Sequence, residues 1–301
     1  NPFQTVQKVG NSMKTIQRIA GVFLLISLIV GGIVLVRTGG DFSELSNEKW
    51  VQKEKTFEAN QVKELSLDIT ASDVKVTGSA DTDQVLIKYP ESKSRTYTLT
   101  EENGKLTISE KNEPIFGIFT FDFFSSEAWT VQVILPVDNL DNITLDSSSG
   151  DVEFQKLAIK ENLDLSLSSG DVRLETVTVA GETSVQLSSG EIGLTNVVAK
   201  DLHLEVTSGD IQLEGAIVAN QTTLEATSGD IRLSQFKAGQ KTEISVTSGD
   251  ISGDVLGKMT EYTIQSSVTS GDNNLPQELD GGNKQLRVEA TSGDINLQFE
   301  K

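Results

Sequence analysis

A motif that returns about every twenty residues constrains this sequence more than any other feature. In eight copies after residue 141, a glycine follows a serine, that serine follows Ser or Thr, and an acidic residue comes next. A fixed period near twenty is the sequence signature of a solenoid in which each repeat forms one coil. The glycines are Gly150, Gly170, Gly190, Gly209, Gly229, Gly249, Gly271 and Gly293. The acidic residues, called the acidic column below, are Asp151, Asp171, Glu191, Asp210, Asp230, Asp250, Asp272 and Asp294.

Apolar residues keep constant positions within the repeat. The position five residues before the glycine, and those two and four residues after it, are each apolar in seven of the eight copies. Because apolar and polar residues alternate on both sides of the glycine, the spacing has the period of a β-strand. The pattern predicts an all-β fold, a parallel β-solenoid of about eight coils of about 20 residues. A right-handed solenoid is favoured, because parallel crossovers overwhelmingly take that hand.

Shorter strands are predicted before the repeats. Alternation of apolar and polar residues indicates each strand, and Asn103-Gly104 is a strong hairpin signal. Residues 62–140 are therefore interpreted as N-terminal strands with an aromatic cap, and residues 141–301 as the solenoid. The strands are predicted at 62–69 and 74–76, with a turn at Ala71 to Asp73 between them, and at 84–89, 95–100, 105–109 and 129–135.

Aromatic residues concentrate in residues 115–129, the segment IFGIFTFDFFSSEAW. One interpretation is that they cover the open end of the solenoid or fill the core of the N-terminal strands, since exposed sheet edges need covering. The other is contact with the bilayer or with a membrane partner, because a large apolar patch in water is unfavourable. The candidate contact residues are Phe116, Phe119, Phe121, Phe123, Phe124 and Trp129.

A long apolar segment lies near the N-terminus. Residues 19–36 carry no charge, and at about 1.5 Å per residue such a helix covers about 27 Å, close to a bilayer core. Basic residues precede the segment and acidic residues follow it, so the N-terminus is expected in the cytoplasm and the rest of the chain outside. A cleaved signal peptide is the alternative, although its apolar core is usually shorter, roughly 7 to 15 residues. The predicted segments are a cytoplasmic tail at 1–18, a transmembrane helix at 19–37 and a stalk at 38–61.

The charge and the rare residue types exclude several classes of function. The net charge is −19, and all 44 acidic residues follow the apolar segment, which argues against nucleic acid and anionic lipid surfaces as partners. Cationic peptides, wall polymers or a membrane protein fit better, although solubility explains an acidic exterior equally well. There is no cysteine, and the one histidine, His203, alternates with two leucines and should point outward. We therefore expect no cofactor and no metal site, and the sequence carries no nucleophile-histidine pair or Walker loop.

The acidic column allows two interpretations. It could form a ladder of carboxylates that binds cations, or a polar edge that binds an envelope polymer. The alternative is a turn, in which glycine takes a positive φ while the hydroxyl and carboxylate groups bond the local backbone. Calcium needs six to eight oxygen ligands, and one acid per coil supplies them poorly. The turn is therefore favoured.

These motifs resemble a known bacterial family. The stretch VQVILPVDNLDNITLDSSSGDVEF, followed by TSGDI at Thr207, Thr227, Thr247 and Thr291, resembles the putative-adhesin family of β-strand repeat proteins, from about Glu64 to the end. The resemblance implies a membrane-anchored or surface protein of Gram-positive bacteria, similar to the Lia-type proteins linked to envelope stress. It supplies no catalytic residues.

The sequence thus predicts a single-pass membrane protein whose extracytoplasmic β-solenoid is a non-catalytic binding, sensing or adhesion module in the envelope stress response. A structural scaffold or accessory subunit of a membrane complex is the second hypothesis, because the last repeat has no obvious cap and further sheet could stack on it. A polysaccharide-modifying enzyme is the third, since paired carboxylates can cleave glycans. The uniform spacing of the acids favours structure over chemistry.

Overall fold

The computed structural model describes residues 50–113 and 129–300, which belong to one compact unit. Its strands join into one mixed sheet with long parallel ladders, so the all-β prediction is confirmed. The predicted tail, the predicted transmembrane helix at 19–37 and residues 38–49 of the predicted stalk lie outside the described residues. Within the described ranges, no helix has the length and apolar character needed to cross a membrane.

Seven strands precede the repeats, and all but the first lie close to their predicted positions. The Asn103-Gly104 pair has φ angles of 54° and 86° and joins two antiparallel strands, which confirms the hairpin. A short 3-10 turn at Ala59–Gln61 follows the first strand. The strands are β1 (Val51–Glu58), β2 (Glu64–Ile69), β3 (Asp73–Ser79), β4 (Gln84–Glu91), β5 (Arg95–Glu102), β6 (Lys105–Asn112) and β7 (Thr130–Pro136).

Each repeat contributes one strand before its glycine and, with one exception, one strand after it. A second 3-10 turn, Met259–Glu261, precedes the seventh repeat. Before the glycines lie β8 (Asn142–Ser147), β10 (Leu163–Ser169), the C-terminal part of β11 (Val172–Ser189), β13 (Val198–Ser208), β15 (Ile217–Ser228), β17 (Lys241–Ser248), β19 (Tyr262–Ser270) and β21 (Lys284–Ser292). After them lie β9 (Val152–Ile159), the N-terminal part of β11, β12 (Ile192–Thr195), β14 (Ile211–Glu214), β16 (Ile231–Phe236), β18 (Ile251–Lys258) and β22 (Ile295–Glu300); the two-residue β20 (Glu278–Leu279) stands apart.

Equivalent positions of the repeats stack in register along two rows of strands. Leu165 pairs with Val185 in the row before the glycines, and Val172 pairs with Ile192 in the row after them. All four side chains are buried, as are nearly all residues of the three apolar positions. Since neighbouring strands lie about 4.8 Å apart, each coil covers the apolar face of the next. No coil could bury its core alone.

The coils do not stack in chain order at the C-terminal end. Strand β17 of the sixth repeat pairs with β21 of the eighth, and β21 pairs in turn with β19 of the seventh. The seventh repeat has Ser266 and Asn273 at positions that are otherwise apolar. The Ser266 hydroxyl donates to the Pro276 carbonyl at 2.8 Å and lies 2.9 Å from Asn273 Nδ2. A polar repeat suits the end of the stack better than its middle, where both faces would need apolar neighbours.

The expectation that the last repeat leaves an uncovered end is therefore wrong. Strand β21 is covered by β19, and the edge of β22 meets the segment after Gly271. The Asn274 side chain donates to the Leu297 carbonyl at 2.8 Å and accepts the Leu297 N–H at 3.1 Å. One amide thus satisfies both backbone groups of an edge residue, which blunts the edge against further strand pairing.

The stack continues past the first repeat toward the N-terminus. Strands β2 and β3 pair with β8 and β9, and β6 and β7 pair with the other edges of β2 and β3. The antiparallel strands β5, β4 and β1 lie outside these. A single apolar cluster runs from Ala59 to Leu297. The boundary predicted at 140–141 therefore does not coincide with a break in the sheet.

The predicted stalk is wrong for residues 51–61. Strand β1 pairs with β4 over its full length, from Val51 opposite Glu91 to Glu58 opposite Gln84. Almost every side chain of β1 is exposed, so the strand has no buried face. Its sequence accordingly lacks the alternation of apolar and polar residues that predicted the other strands. Its formation depends on backbone pairing, which a polar sequence does not reveal.

Three buried threonines give a stability prediction. Thr183, Thr222 and Thr242 are fully buried, and their hydroxyls have no hydrogen-bond partner among the described residues. Because an unpaired buried hydroxyl destabilises the folded state by roughly 1–3 kcal/mol, Thr222→Val and Thr242→Val should each raise the free energy of unfolding by about 1 kcal/mol in urea titrations. The control is Thr223→Val, which changes the outward-facing neighbour of Thr222 on β15. It should change the free energy of unfolding by less than about 0.5 kcal/mol. A loss of stability in both Thr222→Val and Thr242→Val would contradict the conclusion that these hydroxyls lack a hydrogen-bond partner.

Candidate functional site

The turn of each repeat is a close contact between successive backbones. The eight motif glycines have φ angles from 105° to 144°, a region that L-residues with side chains rarely adopt. A Cβ atom added to any of them would come within 3.0 Å of a backbone oxygen in the neighbouring coil. Glycine is therefore required both by the conformation of the turn and by the approach of the next coil.

The acidic column makes hydrogen bonds from coil to coil. The Asp171 N–H donates to Asp151 Oδ1 at 3.0 Å, and the Asp250 N–H donates to Asp230 Oδ1 at 2.9 Å. The same bond joins Asp294 to Asp250 and Asp272 to Asp294, each at 2.8 Å, following the spatial order of the coils. One oxygen of each of these carboxylates thus holds the adjacent backbone. This is what the turn interpretation of the column requires.

The column extends one coil further than the repeats recognised in the sequence. The Asp151 N–H donates to Asp73 Oδ1 at 2.9 Å, so Asp73 occupies the next position of the ladder. Its segment reads Thr70-Ala71-Ser72-Asp73, in which Ala71 and Ser72 replace the serine and glycine of the Thr-Ser-Gly-Asp motif. A search for the motif with two mismatches would have found it.

Two arginines cross-link the column on its solvent side. Arg232 lies 2.6 Å from a carboxylate oxygen of both Asp210 and Asp230, and Arg173 lies 2.7 Å from Asp171. The hydrogen bond from the Asp230 N–H lowers the pKa of Asp210, and Arg232 lowers it further. Burial instead raises the pKa of Asp73. These opposite shifts have opposite consequences for stability in acid.

We expect Asp210 and Asp73 to affect acid stability in opposite ways. The lowered folded-state pKa of Asp210 gives a stabilisation that is present above the unfolded value, about 3.9, and is lost as the pH falls through the folded value. The raised pKa of Asp73 makes folding more favourable as the pH falls. Urea unfolding at about pH 7 and about pH 3 should show a smaller difference in stability for Asp210→Asn than for the unchanged chain, and a larger one for Asp73→Asn. Equal changes in the two variants would contradict this assignment.

A buried ion pair replaces glycine in the turn at residues 70–73. Glu110 Oε2 accepts the backbone N–H groups of Thr70, Ala71 and Ser72 at 3.0 to 3.1 Å. Its other oxygen lies 3.0 Å from Arg95 Nε, and the Glu110 side chain is fully buried. The sequence did not reveal this pair, because Glu110 lies just after the predicted strand 105–109 and is followed by the exposed polar residues Lys111 and Asn112.

Aromatic rings surround the arginine of this pair. The Arg95 guanidinium lies 4.9 Å from the ring centre of Trp129 and 5.6 Å from that of Trp50, and the two rings meet edge to face at 4.0 Å. Burial raises the pKa of Tyr97, whose hydroxyl contacts Ser72, to about 12. Of the candidate aromatic contact residues, Trp129 lies here. Phe116, Phe119, Phe121, Phe123 and Phe124 lie outside the described residues.

A groove crosses the outer side of the strands that follow the glycines. It encloses about 490 Å³ and is open to solvent. We call it the outer groove. The residues that line it include Arg173, Glu191, Gly193, Gln212, Glu214 and Arg232. Of these residues, the sequence patterns singled out only Glu191, as part of the acidic column, and Gly193 does not belong to the motif. His203 lies on the other row of strands, beside a second and smaller depression.

No group of three or more His, Cys, Asp or Glu side chains in the described residues is arranged to hold a metal ion. The motif glycines and the acidic column form a ladder along the stack through their coil-to-coil hydrogen bonds. Comparison with known proteins is consistent with such a fold. A family model described as Toastrack DUF4097 matches residues 62–298.

The chain belongs to the Toastrack DUF4097 family. The crystal structure of a putative adhesin from Bacteroides fragilis NCTC 9343 is similar at 14% identity and a TM-score of 0.52, over 83% of this chain and 97% of that one. A putative lipid binding protein from Parabacteroides distasonis ATCC 8503 is similar at 15% identity and a TM-score of 0.48, over 82% and 96%. At these identities the likeness concerns the Toastrack fold. No curated protein sequence matches the chain.

Proposed function

We propose that this Toastrack protein is a non-catalytic binding, sensing or adhesion module that acts outside the cell membrane in the envelope stress response. The observation that carries the proposal is the use of the acidic column. Its carboxylates accept backbone N–H groups and pair with arginines, so they hold the coils together. The repeated outer faces are then what the protein offers to a partner. The adhesin description of the Bacteroides protein supports an adhesive role by analogy.

The non-catalytic part of the proposal is supported by the same geometry. Glycan cleavage needs one carboxylic acid and one carboxylate on opposite sides of the substrate bond. In the ladder, successive carboxylates instead lie on adjacent coils, and six of the eight accept the backbone N–H of the neighbouring acidic residue. A general acid needs a raised pKa, whereas the hydrogen bond from the Asp230 N–H lowers the pKa of Asp210. Burial raises the pKa of Asp73, but its carboxylate already accepts the Asp151 N–H in the ladder.

The proposed membrane anchor is residues 19–37, and the proposed bilayer or partner contact is the aromatic segment 115–129. The anchor is supported by the uncharged run at residues 19–36, which basic residues precede and acidic residues follow. Protease added to intact cells should then cleave the region after residue 50 and spare a tag at the N-terminus.

Binding is tested with the purified full chain and two separate targets, isolated cell-wall polymer and vesicles of the cell's own lipids. The proposal predicts co-sedimentation with at least one target beyond the amount retained through the apolar segment 19–37. A variant with that segment replaced by a polar linker is the control for insertion into the vesicles. Retention on neither target, or release of sugar fragments from the wall polymer, would overturn the proposal.

A further inference from the structure

The third repeat departs from the others at two neighbouring positions. It alone has glutamate in the acidic column, Glu191, and it alone has glycine three residues after the motif glycine among the strands β9, β11, β12, β14 and β16. Gly193 pairs in register with Arg173 on one side and Gln212 on the other. A side chain is therefore missing from an otherwise continuous outer row.

The fold does not require glycine at residue 193. Unlike the motif glycines, Gly193 does not have a positive φ. An added Cβ would meet nothing nearer than Val172 O and Glu191 Oε1, both at 3.9 Å. The missing side chain instead opens a gap two strand spacings wide, about 9.6 Å, between Arg173 and Gln212. This gap is the centre of the outer groove.

Charge around the gap favours a cation. The longer Glu191 side chain reaches the space above Gly193, and Glu214 lies on the next coil. Neither carboxylate has a hydrogen bond or an ion pair within bonding distance among residues 50–113 and 129–300, although Arg232, whose pKa is raised mainly by its hydrogen bond to Asp210, is also attracted by the Glu191 charge. The two arginines of the groove, Arg173 and Arg232, are already neutralised by aspartates of the column. The open charges in the groove are therefore negative.

From this geometry we infer that the outer groove binds a lysine or arginine side chain of an extended cationic peptide segment. This inference rests on the proposed function as a binding module and assigns it a site and a partner chemistry. The gap accepts one long side chain, while Glu191 and Glu214 supply the charge. Neighbouring polar groups such as the Gln212 amide line the groove and can bond a peptide backbone. Exposed ion pairs of this kind weaken with salt.

The test measures the affinity of the purified full chain for fluorescent tetralysine at low salt. Gly193→Gln fills the gap with the residue that the next coil carries at that position, and Glu191→Gln with Glu214→Gln removes the charge while keeping the shape. Each should weaken binding at least about tenfold, about 1.4 kcal/mol. The control is Glu205→Gln with Glu225→Gln, two exposed carboxylates on adjacent coils of the other row, which should change the affinity less than about twofold.

Three results would overturn the inference. They are the absence of tetralysine binding, an equal loss in the control pair, and unchanged binding in Gly193→Gln. If a neutral oligosaccharide bound the unchanged chain but not the Gly193→Gln variant, the groove would be assigned to glycans and the cationic peptide rejected. Retention of the Gly193→Gln chain on wall polymer or vesicles, together with unchanged tetralysine binding, rejects the groove and leaves the proposed function standing. If the unchanged chain itself is retained on neither wall polymer nor vesicles, the proposed function is rejected.

Discussion

Gly209→Ala should lower the free energy of unfolding by about 3 kcal/mol or more. Gly209 has a φ of 142°, where an L-residue with a Cβ is strained. The added Cβ would also come within 3.0 Å of the Gly190 carbonyl oxygen, a backbone atom that cannot rotate away. The Gly209 N–H donates to Ser228 on the opposite side at 2.8 Å, so the turn is held between two coils. Relief of the clash would have to separate the coils and loosen the ladder.

Gly193→Ala is the matched control for this substitution. Both glycines lie near the middle of the stack, and both variants add one methyl group. At Gly193 the new Cβ is 3.9 Å from its nearest neighbours and the backbone conformation is permissive, so stability should stay within about 0.5 kcal/mol or rise slightly. Urea titrations followed by circular dichroism measure both. Similar losses in the two variants would show that the close approach of the turns is not what requires glycine.

These two glycines show which features of the fold can be predicted from the sequence. The period predicts which residues stack, because apolar positions of a repeat can only be buried against the same positions of its neighbours, and Leu165 and Val185 do pair. The period does not encode the order of the coils. Since the repeats share one apolar pattern, that pattern allows β17 to pair either with β19, which comes next in the chain, or with β21. In the structure β17 pairs with β21. The polar residues of the seventh repeat decide between the two orders.

The candidate site illustrates the same division. The motif glycines and the acidic column are visible as sequence, because a turn repeated eight times leaves a repeated motif. Glu110 is not visible, because its role comes from three N–H groups that lie some forty residues earlier in the chain. Gly193 is visible as a glycine, but its meaning depends on the side chains of the adjacent coils.

Glu110→Ala should destabilise the fold by about 3–5 kcal/mol. The substitution leaves the Arg95 guanidinium, whose side chain is 15% exposed, without its carboxylate partner. It also removes the acceptor of the Thr70, Ala71 and Ser72 N–H groups, which hold the turn in place of a glycine. Removing one member of a buried pair is far more harmful than removing one member of an exposed pair. Thermal and urea unfolding of the purified variant measure the loss.

Glu289→Ala provides the exposed counterpart of this change. Glu289 lies 2.7 Å from Arg287, with both side chains about half exposed, and its loss should change stability by less than about 1 kcal/mol. A further variant separates charge from hydrogen bonding. Glu110→Gln keeps an acceptor oxygen for the backbone N–H groups but leaves Arg95 unpaired, so it should fall between Glu110→Ala and the unchanged chain. If Glu110→Gln were as stable as the unchanged chain, the backbone contacts alone would account for the role of Glu110 in the turn.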